Sequence, residues 1–336
     1  MRFQVFYSSL WQGNWHLFSL IESAKTKECG GMIMLLTVQL SNGESIAYRK
    51  REGGAHPLLL IHGNMTSSKH WDVLIEAIDS KYTIYAMDLR GFGGSSYHKP
   101  NKSIKDFSED VKLFVDAIHL PHFDLIGWST GGAVGMQFVA NNPGYCQRLI
   151  LLASASTRGY PFYTDLGIGN LVAVKRAAHY EDVLLDSSKT KLVQGFYDTQ
   201  NVEGLKAIWN ALIYTHKQPE ADQYAAYVED MLTQRNLAEV YHALNTFNIS
   251  ATDHEITKGT NEVLQITTPT LVLRGDRDFV ITEQMSREIM EDLGENAKFQ
   301  SVANCGHSPL IDDLPQLISK IENFLEIGGS KYALKQ

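Results

Sequence analysis

The chain has 336 residues, 44% hydrophobic and 20% charged, an ordinary globular composition that excludes a disordered or low-complexity protein. Its 30 Lys and Arg stand against 38 Asp and Glu, a formal charge of −8, which disfavours a nucleic-acid partner because phosphates call for a basic surface. Three cysteines (Cys29, Cys146 and Cys305) without a C-x-x-C spacing argue against a disulfide framework or zinc site and for a reducing, cytoplasmic location, and no run of about 18 apolar residues is present to span a membrane.

In chain order, residues 1–31 come first. They carry Phe3, Phe6, Tyr7, Trp11, Trp15 and Phe18, but Gln12, Gly13, Asn14 and His16 break the apolar run that a signal peptide needs. This stretch reads as an N-terminal extension, disordered or a non-native start, with Met32 and Met34 directly ahead of the first strand. Residues 35–40 (LLTVQL) and 44–49 read as strands joined by the turn signal Ser41-Asn42-Gly43, and so as a hairpin. The short, nearly continuous apolar runs at 58–61, 82–87, 123–126, 149–153 and 270–273 have the character of strands buried on both faces of a parallel sheet. Between them, Trp71, Leu74, Ile75 and Ile78 recur at helical spacing, as do Phe107, Val111, Phe114, Val115 and Ile118. Leu314, Leu317, Ile318, Ile321 and Leu325 repeat the pattern near the end. Strands alternating with helices predict a parallel α/β sheet. The alternation stops over 157–265, where helical patterns at 207–213, 224–232 and 237–244 come with no convincing strand. That stretch is too long for a loop and is predicted to be a helical insertion into one sheet.

Gly127-Trp128-Ser129-Thr130-Gly131 follows the strand at 123–126 and opens a helix over 133–140. The spacing G-x-S-x-G has a steric cause. A nucleophile on a sharp strand-to-helix turn takes strained backbone angles, and side chains two residues to either side would strike neighbouring backbone, so glycine fits there. The turn lifts the hydroxyl clear of the sheet edge, at the positive end of the helix. A serine nucleophile needs a base, and the base an orienting carboxylate. Among 12 histidines, His307 stands out in Asn304-Cys305-Gly306-His307-Ser308-Pro309, after the strand-like 298–302 and before the last helix. Loops at the carboxyl ends of strands are where open parallel sheets carry ligands and catalysis. Arg274-Gly275-Asp276-Arg277-Asp278, after the strand at 270–273, offers two carboxylates, one to orient the base and one for a turn or ion pair. His62-Gly63-Asn64 follows 58–61 and can aim a backbone N–H at a developing oxyanion, with the N–H of Thr130 as the second donor.

These residues resemble the α/β-hydrolase fold family, over about residues 35–326. The order Ser129, Asp, His307 matches the family order. Residues 88–96 (DLRGFGGSS) resemble a mainly structural family segment. The family's acid follows G-x-x-D ahead of an apolar pair; Gly275 to Asp278 with Phe279-Val280 fits, which selects Asp278 over Asp276. The resemblance implies a mostly parallel eight-stranded sheet flanked by helices. Its core would be 32–156 and 266–328, with an inserted helical cap at 157–265 and a C-terminal tail at 329–336. Dehalogenase and epoxide-hydrolase relatives share His-Gly-Asn but use an Asp nucleophile, so Ser129 argues against both and Asn64 is read as a backbone donor. Carbon–carbon bond hydrolases often carry Trp directly after the catalytic His, where this chain has Ser308. The run GWSTGG is most similar to the serine esterase, peroxidase-like and lactonase-like branch.

By that resemblance the chemistry is acyl transfer from a small-molecule ester or lactone. His307 takes the Ser129 proton, Asp278 orients the imidazole, and the N–H groups of Asn64 and Thr130 hold the oxyanion. No metal or organic cofactor is implied, and a monomer or homodimer is expected. Trp128 and the aromatics Tyr160, Phe162, Tyr163, Phe196, Tyr197, Trp209, Tyr214, Tyr224 and Tyr227 are candidates to line an apolar acyl pocket. The rival readings are a C–C bond or other specialised hydrolase with the same residues, and a non-turnover binding or signalling protein on this fold.

Overall fold

The computed structural model describes residues 32–165 and 174–327; the expected extension at 1–31 and tail at 329–336 lie outside the described residues. Strands β1 (Ile33–Gln39) and β2 (Ser45–Arg51) pair antiparallel across Gly43, whose φ of +93° suits a residue without Cβ. They are followed by β3 (His56–Ile61), β4 (Tyr82–Met87), β5 (Phe123–Trp128) and β6 (Cys146–Leu152). Two three-residue strands, β7 (Tyr163–Asp165) and β8 (Val174–Arg176), pair only with each other among the described residues. The chain returns to the main sheet with β9 (Thr270–Gly275) and β10 (Ala297–Val302). The eight-stranded sheet has the order β1-β2-β4-β3-β5-β6-β9-β10, antiparallel at its first two pairings and parallel from β4 onward.

Alternate residues of the central strands enter two different cores. Leu59, Ile61, Leu125, Leu149, Leu151 and Val272 face one side of the sheet. Leu58, Leu60, Ile126, Ile150, Leu152, Leu271 and Leu273 face the other. Burial on both faces is why these strands read as continuous apolar runs. Helix α1 (Asp72–Ala77) packs into the second core through Leu74 and Ile75. Helices α2 (Ile104–Ala117) and α3 (Thr130–Asn141) supply Phe107, Val111, Phe114, Val134 and Phe138 to the first. Helix α2 starts at a capping box in which Ser103 and Asp106 satisfy each other's backbone N–H groups.

Among the described residues, five α-helices lie between β6 and β9: α4 (Tyr180–Leu185), α5 (Thr190–Asp198), α6 (Val202–Leu212), α7 (Ala221–Met231) and α8 (Leu237–Thr246). Two features depart from the sequence expectation for this stretch. The hairpin β7–β8 is present where no strand is expected, because three residues are too few to display a period of two. Helices α4 and α5 bury only Val183, and Thr190, Val193 and Tyr197, so their periodicity has few points to read. The last described helices are α9 (Glu283–Leu293), α10 (Pro309–Asp312) and α11 (Leu314–Ile327). Among the described residues no helix is long and apolar enough to cross a membrane.

From β3 the chain goes to its neighbour β4 on one side, then to β5 on the other. At such a reversal of strand order, loops at the carboxyl ends of the strands diverge and leave a crevice.

Candidate active site

Four loops at the carboxyl ends of β3, β5, β9 and β10 carry the polar groups the sequence singles out. After β5 the chain turns at Ser129, with φ +56° and ψ −115°. A residue with a Cβ in that region is strained by about 1–3 kcal/mol. The surrounding backbone holds it: Ser129 N–H donates to Leu152 O at 2.9 Å, and Ser129 O accepts the N–H of Gly132 at 3.0 Å and of Ala155 at 3.3 Å. The flanking glycines are sterically required. A Cβ on Gly127 would lie 2.3 Å from Gly131 O, and one on Gly131 would lie 2.2 Å from Ile61 O. Ser129 Oγ makes no capping bond to α3, and the residue faces a cavity.

His307, after β10, and Asp278, after the adjacent parallel β9, meet behind that cavity. His307 Nδ1 lies 3.0 Å from Asp278 Oδ2 and 3.2 Å from Oδ1. Asp278 Oδ1 also accepts the N–H groups of Val280 at 2.8 Å and Ile281 at 2.9 Å. Burial by itself raises the Asp278 carboxyl; the His307 imidazole and the two N–H donors outweigh it and hold the carboxyl below its ordinary range. A carboxylate at this place makes Nδ1 the protonated nitrogen and leaves the Nε2 lone pair to act as a base. The rival carboxylate is exposed, and its Oδ1 accepts the Cys305 N–H at 3.2 Å, so Asp276 ties the β9 turn to the His307 loop.

After β3, His62 is fully buried. Its Nε2 accepts the Leu89 N–H at 2.9 Å, which leaves Nδ1–H to donate to Gly63 O at 2.7 Å. Burial pushes this imidazole down to about 4, so it stays neutral and acts as a strut under the loop. Gly63 closes on the Ser129 turn: a Cβ there would stand 3.2 Å from Ser129 Cβ. Among the described residues, neither the Asn64 nor the Thr130 N–H has a backbone acceptor.

Asn64, Ser129, Thr130 and His307 line one cavity of about 580 Å³. Most of its remaining wall is apolar and comes from the stretch between β6 and β9. Of the aromatics proposed from sequence, Tyr160, Phe162, Tyr163 and Trp209 line it. Phe196, Tyr197, Tyr214, Tyr224 and Tyr227 do not. Tyr214 and Tyr224 pack edge to face at 5.2 Å, and Tyr227 stacks on His70 at 4.1 Å. Trp128 is also absent from the wall, which corrects the sequence expectation. The alternation of β5 puts it in the same core as Ile126, edge-on to Trp71, where its Nε1–H donates to His307 O at 3.0 Å. The indole therefore supports the histidine loop from behind. Sequence reasoning missed Met65, Tyr241, Leu244, Val280 and Ile281 as wall residues. The last two directly follow Asp278, and that adjacency was the available signal. Lys189 and His307 are the cavity's only basic lining residues among those described.

Comparison with known proteins agrees with this architecture. The family profile of the alpha/beta hydrolase fold matches residues 56–314. The chain is 23% identical over 272 residues to a pimeloyl-[acyl-carrier protein] methyl ester esterase of Nitrosomonas europaea, covering 80% of this chain and 94% of that protein. It is 22% identical over 259 residues to a 2-hydroxy-6-oxononadienedioate/2-hydroxy-6-oxononatrienedioate hydrolase of Cupriavidus pinatubonensis, covering 76% and 81%. The structure of an esterase from Exiguobacterium antarcticum superposes with a TM-score of 0.67 at 15% identity, covering 87% of this chain and 100% of that one, a likeness of fold.

Proposed function

The chain belongs to the alpha/beta hydrolase fold family, and from that premise we propose that it is a serine hydrolase acting on a carboxylic ester or lactone of a small, largely apolar molecule. His307 Nε2 takes the proton of Ser129 Oγ as the oxygen attacks the carbonyl carbon. The N–H groups of Asn64 and Thr130 donate to the oxyanion of the tetrahedral intermediate, the contribution expected to be largest. Asp278 keeps the imidazole in the required tautomer and offsets its positive charge. The intermediate collapses, His307 returns the proton to the departing alkoxide, and the acyl group stays on Ser129. Water, deprotonated by His307, then attacks the acyl carbon and releases the acid and the free serine.

One observation carries this reading. Asn64 and Thr130, whose N–H groups have no backbone acceptor among the described residues, line the same cavity as a strained serine and a histidine backed by a buried carboxylate. The stretch 157–265 is read as a cap that supplies the apolar wall and with it substrate choice. A medium-length acyl chain suits a wall of that kind.

The second reading, C–C bond cleavage by the same residues, is supported by the likeness to the Cupriavidus hydrolase. A doubly charged dioate of that kind would need more cationic partners than Lys189 and His307, the only basic lining residues among those described, which favours the ester.

The test is p-nitrophenol release from acyl esters of graded chain length by wild type and Ser129→Ala. The expected result is a rate that peaks at a medium chain and falls by at least about a thousandfold in the variant. Equal rates in the two proteins would sink the mechanism.

A further inference from the structure

The loop that carries the Asn64 N–H is held from outside the cavity by a chain of amide side chains that orient one another. Arg90 O can only accept, so the nitrogen of the Asn236 amide faces it, at 2.9 Å. Asn236 Oδ1 must then face the other way, where Gln234 Nε2 donates to it at 3.2 Å. The same Gln234 nitrogen donates to Asn64 Oδ1 at 2.8 Å, and Gln234 Oε1 accepts the Tyr197 hydroxyl at 3.1 Å. Both N–H groups of the Gln234 amide are therefore used, and the orientation of each amide follows from a backbone carbonyl that cannot donate. Gln234 is 5% exposed and does not line the cavity.

The loop has a physical need for this support. Met65, directly after Asn64, has φ +59°, a region that a residue with a Cβ keeps only when its surroundings over-determine it. Asp230, at the end of α7, grips the next turn of the same loop by accepting the Ser67 N–H at 2.9 Å and the Ser67 hydroxyl. Residues 230–236 thus bind the loop at two points.

We propose that Gln234 is a positioning residue for ester hydrolysis: by holding Asn64 Oδ1 it keeps the Asn64 N–H aimed at the oxyanion without touching the substrate. The inference rests on the function proposed above. Removing one oxyanion donor outright costs about 10²–10³ in turnover, and misdirecting it costs part of that.

Two variants test the proposal. Gln234→Met keeps the volume but cannot donate; kcat is expected to fall about 10- to 100-fold with KM within about threefold, because the lost contact matters only in the transition state. Gln234→Glu keeps the shape. When ionised, the new carboxylate turns an oxygen toward two oxygens, Asn64 Oδ1 and Asn236 Oδ1; when protonated, it can donate to Asn64. The titratable group in contact with it is the Tyr197 hydroxyl; the Asp230 carboxylate acts on Tyr197 and is itself faced by the His70 and His62 imidazoles. Burial raises its pKa, so kcat of Gln234→Glu relative to wild type is expected to rise from about pH 8 to about pH 6, while the ratio for Gln234→Met stays flat. Amide hydrogen exchange adds a readout independent of turnover: exchange at 63–67 is expected to quicken at least about fivefold in Gln234→Met, with α2 unchanged. A loss confined to KM, a flat ratio for Gln234→Glu, or unchanged exchange at 63–67 overturns the proposal. Absence of Ser129-dependent turnover in wild type overturns the ester reading instead, and the exchange result then decides by itself whether Gln234 holds the loop.

Discussion

Two carboxylates two residues apart, Asp276 and Asp278, show how much one position decides. Asp278 is buried against His307 with two further N–H donors, whereas Asp276 is exposed and serves a turn. Asp278→Asn is expected to lower kcat by about 10³–10⁴-fold, because an amide at that place favours the wrong imidazole tautomer. Asp276→Asn should stay within about threefold of wild type in the same ester assay. A second prediction concerns His62, whose imidazole is lowered from 6.5 to about 4 by burial. Between those values the unfolded chain binds a proton that the folded one does not. Stability therefore rises with pH across that window and falls on acidification, by about 3 kcal/mol for this residue. The Asp278 carboxyl, held below its ordinary range, contributes stability above the unfolded carboxylate pKa of about 4 that is lost only as pH falls through the lower folded value. Urea unfolding of wild type at neutral pH and near pH 4.5 should show the His62 loss, and a His62→Asn variant should show a flatter dependence.

At the scale of elements, the turn from β5 into α3 is governed by contact distances. A Cβ on Gly131 meets Ile61 O at 2.2 Å and His62 O at 2.6 Å, both backbone atoms that cannot swing aside. Gly131→Ala is expected to push α3 off β3 and to cost about 3 kcal/mol or more. Gly195, inside α5, has nothing within 4 Å of a Cβ built on it. Gly195→Ala should stabilise by about 0.5–1 kcal/mol through the entropy of the unfolded chain. Thermal unfolding of the two variants should move the Tm in opposite directions. The turn was legible in the sequence because its constraint is local: five consecutive residues contain both the strained serine and the glycines that make room for it. Helices α4 and α5 were not, because so few of their residues are buried that no period emerges.

Over the whole molecule, the inserted stretch and the sheet share a core. Val193, Leu205, Trp209, Tyr227 and Met231 from the insertion lie in the same apolar cluster as Ile126, Ile150 and Leu152 from the sheet. Buried polar contacts join them as well, with Asp230 holding Ser67 and Asn236 holding Arg90 O. A stretch that completes the core in this way is expected to have no separate stability, so a single cooperative transition is expected by calorimetry and by near-ultraviolet circular dichroism alike. Two resolved transitions would show the insertion to be an independent unit.

The sequence by itself determined the class of sheet, the family and the loops in which the candidate site residues stand. Each of these follows from local rules: apolar runs mark doubly buried strands, glycines mark turns where a Cβ collides, and polar residues after strands mark the open edge of a parallel sheet. Only the tertiary structure decided which side chains those loops meet. It sent Trp128 behind His307 rather than into the cavity, divided the aromatics between β6 and β9 among wall and core, and brought Gln234 to Asn64 across 170 positions of chain. Such contacts leave no trace in spacing or periodicity. They arise from packing between elements remote in sequence, where shape and hydrogen-bond direction, rather than the neighbouring residues, select the partner.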